Sequence, residues 1–543
     1  MRSNRQPSTP RIPSVKGNTM LAVWAVLALT LAGGASGLCG KEPLRWDRPG
    51  PGTLAVGFKA EAARDETRSF GPKHGLNGEV FGPDLGRPIQ VCCWYPAAPA
   101  EGSAPMAYSA YVGLGGTLPE GRLPTAAERE ANVRAVRDQL VGRGASEADV
   151  RSLLDAPTTA FAGAPALAGP FPVILYAPSF GSWAWENNVL CELLASHGYV
   201  VLACPSMGEN DLAMTQDAAG LLAQERDLAF LLSRAVAMPN ADAGRVGVAG
   251  FSWGGLADVV LAMRDVRVDA VVSLDGSIRS AGARDLVLPR LGLDARNLRV
   301  PFALLAAGPG DPEDDPSAFV SRAIYSERLQ ATFPGIVHRN FCSHFNAIAR
   351  LTPGTAEAKD WRGVAAAYDA TCAMVLAFVD THVKGSVGAP MPELPKSLCT
   401  LQTSPAVPAP PTEGQFLHVV LNEGAARARA IYERAKKADP QVVLFHEAAL
   451  NALGYYLLQN GRAKDAADAF GLNTTEFPDS ANAWDSLGEA CLAAGDLDEA
   501  ERCYRESLRL APGDARLSAQ TRQAIVTGGQ KALETIAARR KAR

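Results

Sequence analysis

The chain has 543 residues, of which 47% are hydrophobic and 20% charged, with a formal net charge of -4. This is ample apolar material for two or more globular domains, and it excludes a chain dominated by disorder. A pI near 6.1, with no broad basic field, excludes nucleic acid as an expected partner.

In chain order, Arg2, Arg5, Arg11 and Lys16 precede an apolar run from Met20 to Ala32, and no acid appears before Glu42. The run has 13 residues, short of the roughly 20 needed to cross a bilayer, and Ala35-Ser36-Gly37 offers small residues for cleavage. Residues 1–38 therefore read as a signal peptide, which implies a secreted or periplasmic protein. An uncleaved anchor is one alternative. Lipid attachment at Cys39 is another, weakened by Leu38 where such signals place a small residue. The chain has 10 cysteines and no Cys-x-x-Cys spacing, so neither a zinc nor a dithiol redox site is expected. Cys92 and Cys93 are adjacent in a predicted strand and face opposite ways.

From Phe171 onward short apolar runs alternate with helical stretches, the pattern of a mostly parallel sheet flanked by helices, and residues 39–386 are read as this α/β domain. Strands are expected at 89–95, 172–177, 199–204, 245–250, 268–274 and 302–307, and helices at 186–196, 224–234, 254–263 and 364–383. Residues from about 101 to 168 read as a helical insertion, with helices at 125–140 and 147–154. It either caps the active-site face or lengthens a connection. Between Pro390 and Pro411 there are seven prolines, and 387–412 reads as a linker. Beyond it, Leu453, Gly454, Gly461, Ala466, Phe470 and Pro478 recur 34 residues later as Leu487, Gly488, Gly495, Ala500, Tyr504 and Pro512. This periodicity resembles tetratricopeptide repeats at 447–480 and 481–514, with a less regular copy around Ala428, Tyr432 and Pro440. Residues 413–543 are therefore expected to form an all-α repeat domain. It serves either as a packing appendage or as a groove for a protein or peptide partner.

Gly250-Phe251-Ser252-Trp253-Gly254 closes the fourth of those strands. A Gly-x-Ser-x-Gly turn between strand and helix exposes a serine hydroxyl, making Ser252 a candidate nucleophile. The next strand returns the chain to the same edge and ends in Asp275, a carboxylate suited to orienting an imidazole. Asp311 follows the strand after that, and spacing leaves both acids open. The base is expected last in the chain, where His338 is the first choice over His344. Two N–H groups are needed for an oxyanion hole: Trp253 supplies one by position, and Phe180, in the turn Pro178-Ser179-Phe180-Gly181, is the choice for the other.

Arg87-Pro88-Ile89-Gln90-Val91, Trp94-Tyr95-Pro96, Leu194-Ala195-Ser196-His197-Gly198-Tyr199, the serine turn, Ser273-Leu274-Asp275 and Val337-His338-Arg339-Asn340-Phe341 resemble α/β-hydrolases of the platelet-activating-factor acetylhydrolase and dienelactone-hydrolase-like group. The likeness covers about Arg87 to Gly385. It implies Asp275 as the acid and His338 as the base, and it departs at Pro178-Ser179, where that group has His-Gly before the oxyanion donor. His197 reads as structural. The resemblance implies a serine esterase acting on a small ester, short-acyl phospholipids among them, without metal or organic cofactor and with peripheral membrane association open. A hydrolase-like protein of little turnover, acting through its repeats, is the alternative.

Overall fold

The computed structural model describes residues 50–71, 77, 79, 86–308, 315–386 and 390–542. The expected signal segment, Cys39 and Asp311 lie outside the described residues. The chain divides into two units, Met1–Ala406 and Val407–Arg543.

The first unit is built on ten described strands: β1 (Ala55–Asp65), β2 (Arg87–Ala97), β3 (Ala160–Ala162), β4 (Phe171–Ala177), β5 (Val200–Ala203), β6 (Ala241–Phe251), β7 (Ala270–Leu274), β8 (Phe302–Ala307), β9 (Arg328–Phe333) and β10 (Thr400–Ser404). They form one sheet in the order β10-β9-β8-β7-β6-β4-β5-β2-β1-β3. The run from β5 through β4 and β6 to β9 is parallel. On one side β2 pairs antiparallel with β5 and β1, and on the other β10 pairs antiparallel with β9. This is a mostly parallel α/β sheet with flanking helices.

The central strands are largely apolar where both faces are covered. β7 reads Ala-Val-Val-Ser-Leu and β8 Phe-Ala-Leu-Leu-Ala-Ala, and every residue in them is buried, as expected where helices pack on both sides. Ile174, Tyr176, Ala249, Phe251 and Val272 face one layer, which contains the helices Asn188–Ser196 and Trp361–His382. Val173, Leu175, Val246, Val248 and Val271 face the other, with Ala218–Val236 and Trp253–Arg264. Cys92 lies in the first layer and Cys93 in the second.

All six expected strands and four expected helices of this unit are present, with ends displaced by a few residues. Four strands were not anticipated. β1 mixes alanine with charged residues and is mostly half-buried, and β3 is only three residues long. β9 and β10 are short, with Arg328 and Gln330 in one and Gln402 in the other. Within 387–412, Thr400–Ser404 carries no proline and adds β10 to the edge of the sheet. The segment 101–168 contains the helices Ala126–Gly142 and Glu147–Leu154, and it contributes Tyr108, Tyr111, Val150 and Leu153 to the core. Thr125 caps the first helix through a reciprocal pair of bonds with Glu128, satisfying donors that the helix leaves open.

The second unit is a run of helices: Glu413–Asn422, Ala425–Ala438, Glu447–Gln459, Ala463–Glu476, Ala481–Ala494, Leu497–Leu510 and Ala519–Lys541. Antiparallel pairs share a core that includes Phe416, Tyr432, Phe470, Tyr504 and Ile536 of the last helix. The 34-residue period has a steric cause. A Cβ on Gly454 would lie 2.4 Å from Cε1 of Phe470, and one on Gly488 would lie 3.2 Å from the Tyr504 ring. Each small residue thus seats the aromatic of the paired helix. Gly454→Val forces the buried Phe470 ring out of place and is expected to cost about 1–3 kcal/mol, read as a lower repeat-unit transition in calorimetry of the full chain.

Candidate active site

Between β4 and β6 the order of the sheet reverses: the chain leaves β4 toward β5 on one side and returns to β6 on the other. At such a switch point the loops beyond the strand ends diverge and leave a crevice. Ser252 follows β6 at this edge, and Phe180 lies in the loop following β4.

Ser252 has φ 58° and ψ -119°, and with Asp275 (φ 44°) it is one of two non-glycine residues with positive φ among the described residues. Such conformations cost of order 1–3 kcal/mol each and persist where their surroundings over-determine them. Here the Ser252 N–H donates to the Leu274 carbonyl at 3.0 Å, and the Ser277 N–H donates to the Ser252 carbonyl at 2.8 Å. The helix that follows sits tight against β4. A Cβ on Gly254 would lie 2.1 Å from the Ala177 carbonyl oxygen, a backbone clash that no rotamer relieves.

Of the sequence-predicted residues, Ser252, His338 and Asp275 come together. Nε2 of His338 is 2.9 Å from Ser252 Oγ, and its Nδ1 is 2.7 Å from Asp275 Oδ2. His338 lies in the turn His338–Phe341, its ring 4.8 Å from that of Phe251, and its side chain is 53% exposed while that of Asp275 is 1% exposed. The other carboxylate oxygen, Oδ1, accepts the Ala307 N–H at 2.8 Å and an Arg279 guanidinium N–H. Burial acts to raise the Asp275 carboxyl, but the His338 bond, the charges of His338 and Arg279, and the Ala307 N–H outweigh it and hold the group below the usual carboxylate range.

The turn bearing His338 is braced by amides. The Val337 N–H donates to Asn340 Oδ1, Asn340 donates to Asn346 Oδ1, and Asn346 returns a bond to the Asn340 carbonyl. The loop with Phe180 is held by Glu186, which is fully buried. Its carboxylate accepts the Ser179 N–H at 2.7 Å, the Ser179 hydroxyl at 2.6 Å and the Tyr176 hydroxyl at 3.0 Å. Burial pushes the Glu186 carboxyl up against these bonds. Its backbone carbonyl accepts the His344 N–H at 3.0 Å, so one residue ties the Phe180 loop to the chain just after His338. The Phe180 and Trp253 rings meet edge to face at 6.1 Å. Trp253 is the first residue of its helix, where the N–H has no acceptor within the helix.

His344 lies elsewhere. It is buried with Nδ1 2.5 Å from the Tyr108 hydroxyl, and its ring meets Trp183 and Trp185, which stack on each other at 5.0 Å, edge to face. His197 caps the helix Asn188–Ser196, with Nδ1 2.9 Å from the Leu193 carbonyl. Asp258, six residues after the serine, is fully buried and its carboxyl is pushed well above the usual range by burial. Arg279, Glu186 and the Asn340–Asn346 pair were not singled out from the sequence, where each is an ordinary polar residue near a turn. Among the described residues no group of three or more His, Cys, Asp or Glu side chains is disposed to hold a metal ion.

The sheet order and the serine turn define an α/β-hydrolase. Residues 158–297 match the dienelactone hydrolase family and residues 481–514 match the tetratricopeptide repeat. The chain thus carries a dienelactone hydrolase family domain and a C-terminal tetratricopeptide repeat. The family match includes Ser252 and Asp275 and ends before His338. A solved ferulic acid esterase from Streptomyces cinnamoneus is similar at 23% identity and a TM-score of 0.46, covering 65% of this chain and 98% of its own. No curated protein matches the chain.

Burial pushes the His344 imidazole from 6.5 down to about 3, so the unfolded chain binds a proton that the folded chain excludes. Between those values stability falls as pH falls, by ~1.4 kcal/mol per pH unit from this residue. Denaturation midpoints of the wild type are expected to drop more steeply between pH 6 and about 4 than those of His344→Gln. Parallel slopes contradict the assignment.

Proposed function

We propose that the protein is a serine ester hydrolase in which Ser252 attacks the carbonyl carbon of a small ester. The observation that carries the reading is the unbroken line Ser252 Oγ to His338 Nε2 at 2.9 Å and His338 Nδ1 to Asp275 Oδ2 at 2.7 Å. Neutral His338 takes the serine proton as the C–O bond forms, and the ionised Asp275 stabilises the imidazolium and fixes its tautomer. The N–H groups of Trp253 and Phe180 stabilise the tetrahedral oxyanion. Collapse of that intermediate expels the alkoxide, which takes the proton from His338, and leaves an acyl-Ser252 ester. Water, deprotonated by His338, then attacks the acyl group. The acid is released and the hydroxyl restored.

The dienelactone hydrolase family match supports hydrolysis as the reaction class. The Phe251 ring beside His338, the Phe345 ring packed on Phe251 and exposed Val337 favour uncharged, apolar ester groups, short-acyl phospholipids among the candidates. The chemistry calls on no cofactor. The N-terminal pattern favours a secreted or periplasmic enzyme, with a membrane surface as one place of work, and the repeats favour a protein or peptide partner.

Ser252→Ala is expected to abolish turnover of a short-chain p-nitrophenyl ester and labelling by a fluorophosphonate, with an unchanged circular dichroism spectrum. Retained turnover removes Ser252 from the role, and a wild-type chain that fails to label favours the interaction protein over the enzyme. Asp275→Asn is expected to lose roughly 10³–10⁴-fold in kcat while Asp311→Asn stays near wild type. The reverse moves the acid to Asp311.

A further inference from the structure

We infer that Arg279 is a positioning residue that holds Asp275 in its working geometry and sets the lower pH limit of the reaction. The inference rests on the Ser252–His338–Asp275 reading above. Arg279 ends the single turn Ser277–Arg279 that follows β7, four residues beyond the acid. Its side chain is 7% exposed, and its Nη1 donates to Asp275 Oδ1, the oxygen that His338 does not use.

A carboxylate that must orient an imidazole has two freedoms to lose: rotation about its own side-chain bonds, and protonation. The Ala307 N–H at 2.8 Å and Arg279 together fix Oδ1, so Oδ2 faces His338 without a competing donor. The backbone of Asp275 adds a second restraint, since its N–H donates to the Leu305 carbonyl at 2.6 Å. Charge supplies the other control. A guanidinium against a carboxylate away from water favours the ionised acid, and the net negative charge that His338 faces is correspondingly reduced. The acid limb of the rate profile therefore depends on the charge of Arg279.

Among the described residues, the charged and titratable groups in contact with this unit include the following. His338 faces Asp275 and Ser252, with the Phe251 ring against it and Arg339 next in the chain. Asp275 faces His338, Arg279 and the Ala307 N–H. The Arg279 carbonyl accepts Arg284 Nη1 at 3.3 Å and the Asp315 N–H at 3.2 Å, and Asp311, Glu313 and Asp314 lie outside the described residues.

The test is the pH profile of kcat/KM for p-nitrophenyl acetate on the full chain, wild type against Arg279→Gln. Glutamine keeps a donor and loses the charge. Its acid limb is expected to move up by about one pH unit, with the plateau reduced by roughly tenfold. A plateau that falls with the acid limb unmoved assigns Arg279 to loop structure and overturns the inference. If the glutamine variant does not fold, Arg279→Lys decides. It keeps the charge and loses the fork, so a limb within about 0.3 pH unit of wild type supports the inference, whereas a limb displaced upward despite the retained charge overturns it. Should Ser252→Ala keep its activity, the underlying reading fails instead. A dead Ser252→Ala with an unmoved Arg279→Gln limb sinks the role of Arg279 alone.

Discussion

The arrangement of the hydrolase unit depends on one close approach, that of the helix Trp253–Arg264 to the end of β4. Only a residue without a Cβ fits at Gly254, because the Ala177 carbonyl occupies the space. Once that contact is made, the turn before the helix has no slack, and Ser252 is driven into positive φ. The strain is balanced by interactions that lie almost wholly outside the turn: backbone bonds to Leu274 and from Ser277, and the burial of ten of the helix's residues from Trp253 to Ala262. Burying large apolar side chains is worth ~1.5–3 kcal/mol each. A handful of them exceeds the cost of one strained residue.

The same bonds couple the serine to the acid. Leu274 and Ser277 flank Asp275, so the turn at Ser252 and the turn at Asp275 form one backbone unit spanning the ends of two adjacent strands. His338 has no such connection. It arrives from beyond β9, and its place is set by the Asn340–Asn346 amide pair and by the bond from His344 to the Glu186 carbonyl. Glu186 is therefore a hinge between two requirements, since its side chain shapes the Phe180 loop and its main chain receives the His338 segment.

What was legible in the sequence follows from which forces leave a local pattern. β4, β7, β8 and the second half of β6 are buried on both faces and so are short, largely apolar runs, and the serine turn needs glycine at fixed positions. That parallel strands deliver their ends to one edge brings an acid near Ser252 but leaves Asp275 and Asp311 both open, and the likeness to known hydrolases points to Asp275 and His338. β1 and β10 left weak patterns because an edge or half-covered strand has no need of alternating apolar residues. Arg279 and Glu186 left none: a buried charge differs from a surface charge only in the partners that surround it, and although Asp275 lies four residues from Arg279 and Ser179 seven from Glu186, no residue pattern marks either pair as buried. The repeats were the most legible part, because Gly454 with Phe470 and Gly488 with Tyr504 are the same steric solution written twice.

Three buried carboxyl groups lie close to the serine turn in the chain or in its contacts, and their environments separate them. Asp258 has no hydrogen-bond partner for either oxygen, and burial alone drives it toward the neutral acid. Glu186 is raised by burial against three donors. Asp275 is the one of the three that contacts a guanidinium, and the one held below its ordinary range. In the proposed reaction, an imidazole that gains and loses a proton in each cycle is best served by a single fixed negative charge on its far side, because further charges nearby would trap it in the protonated form. Burial without partners at Asp258 and burial with a cation at Asp275 produce that selectivity from the same side-chain chemistry.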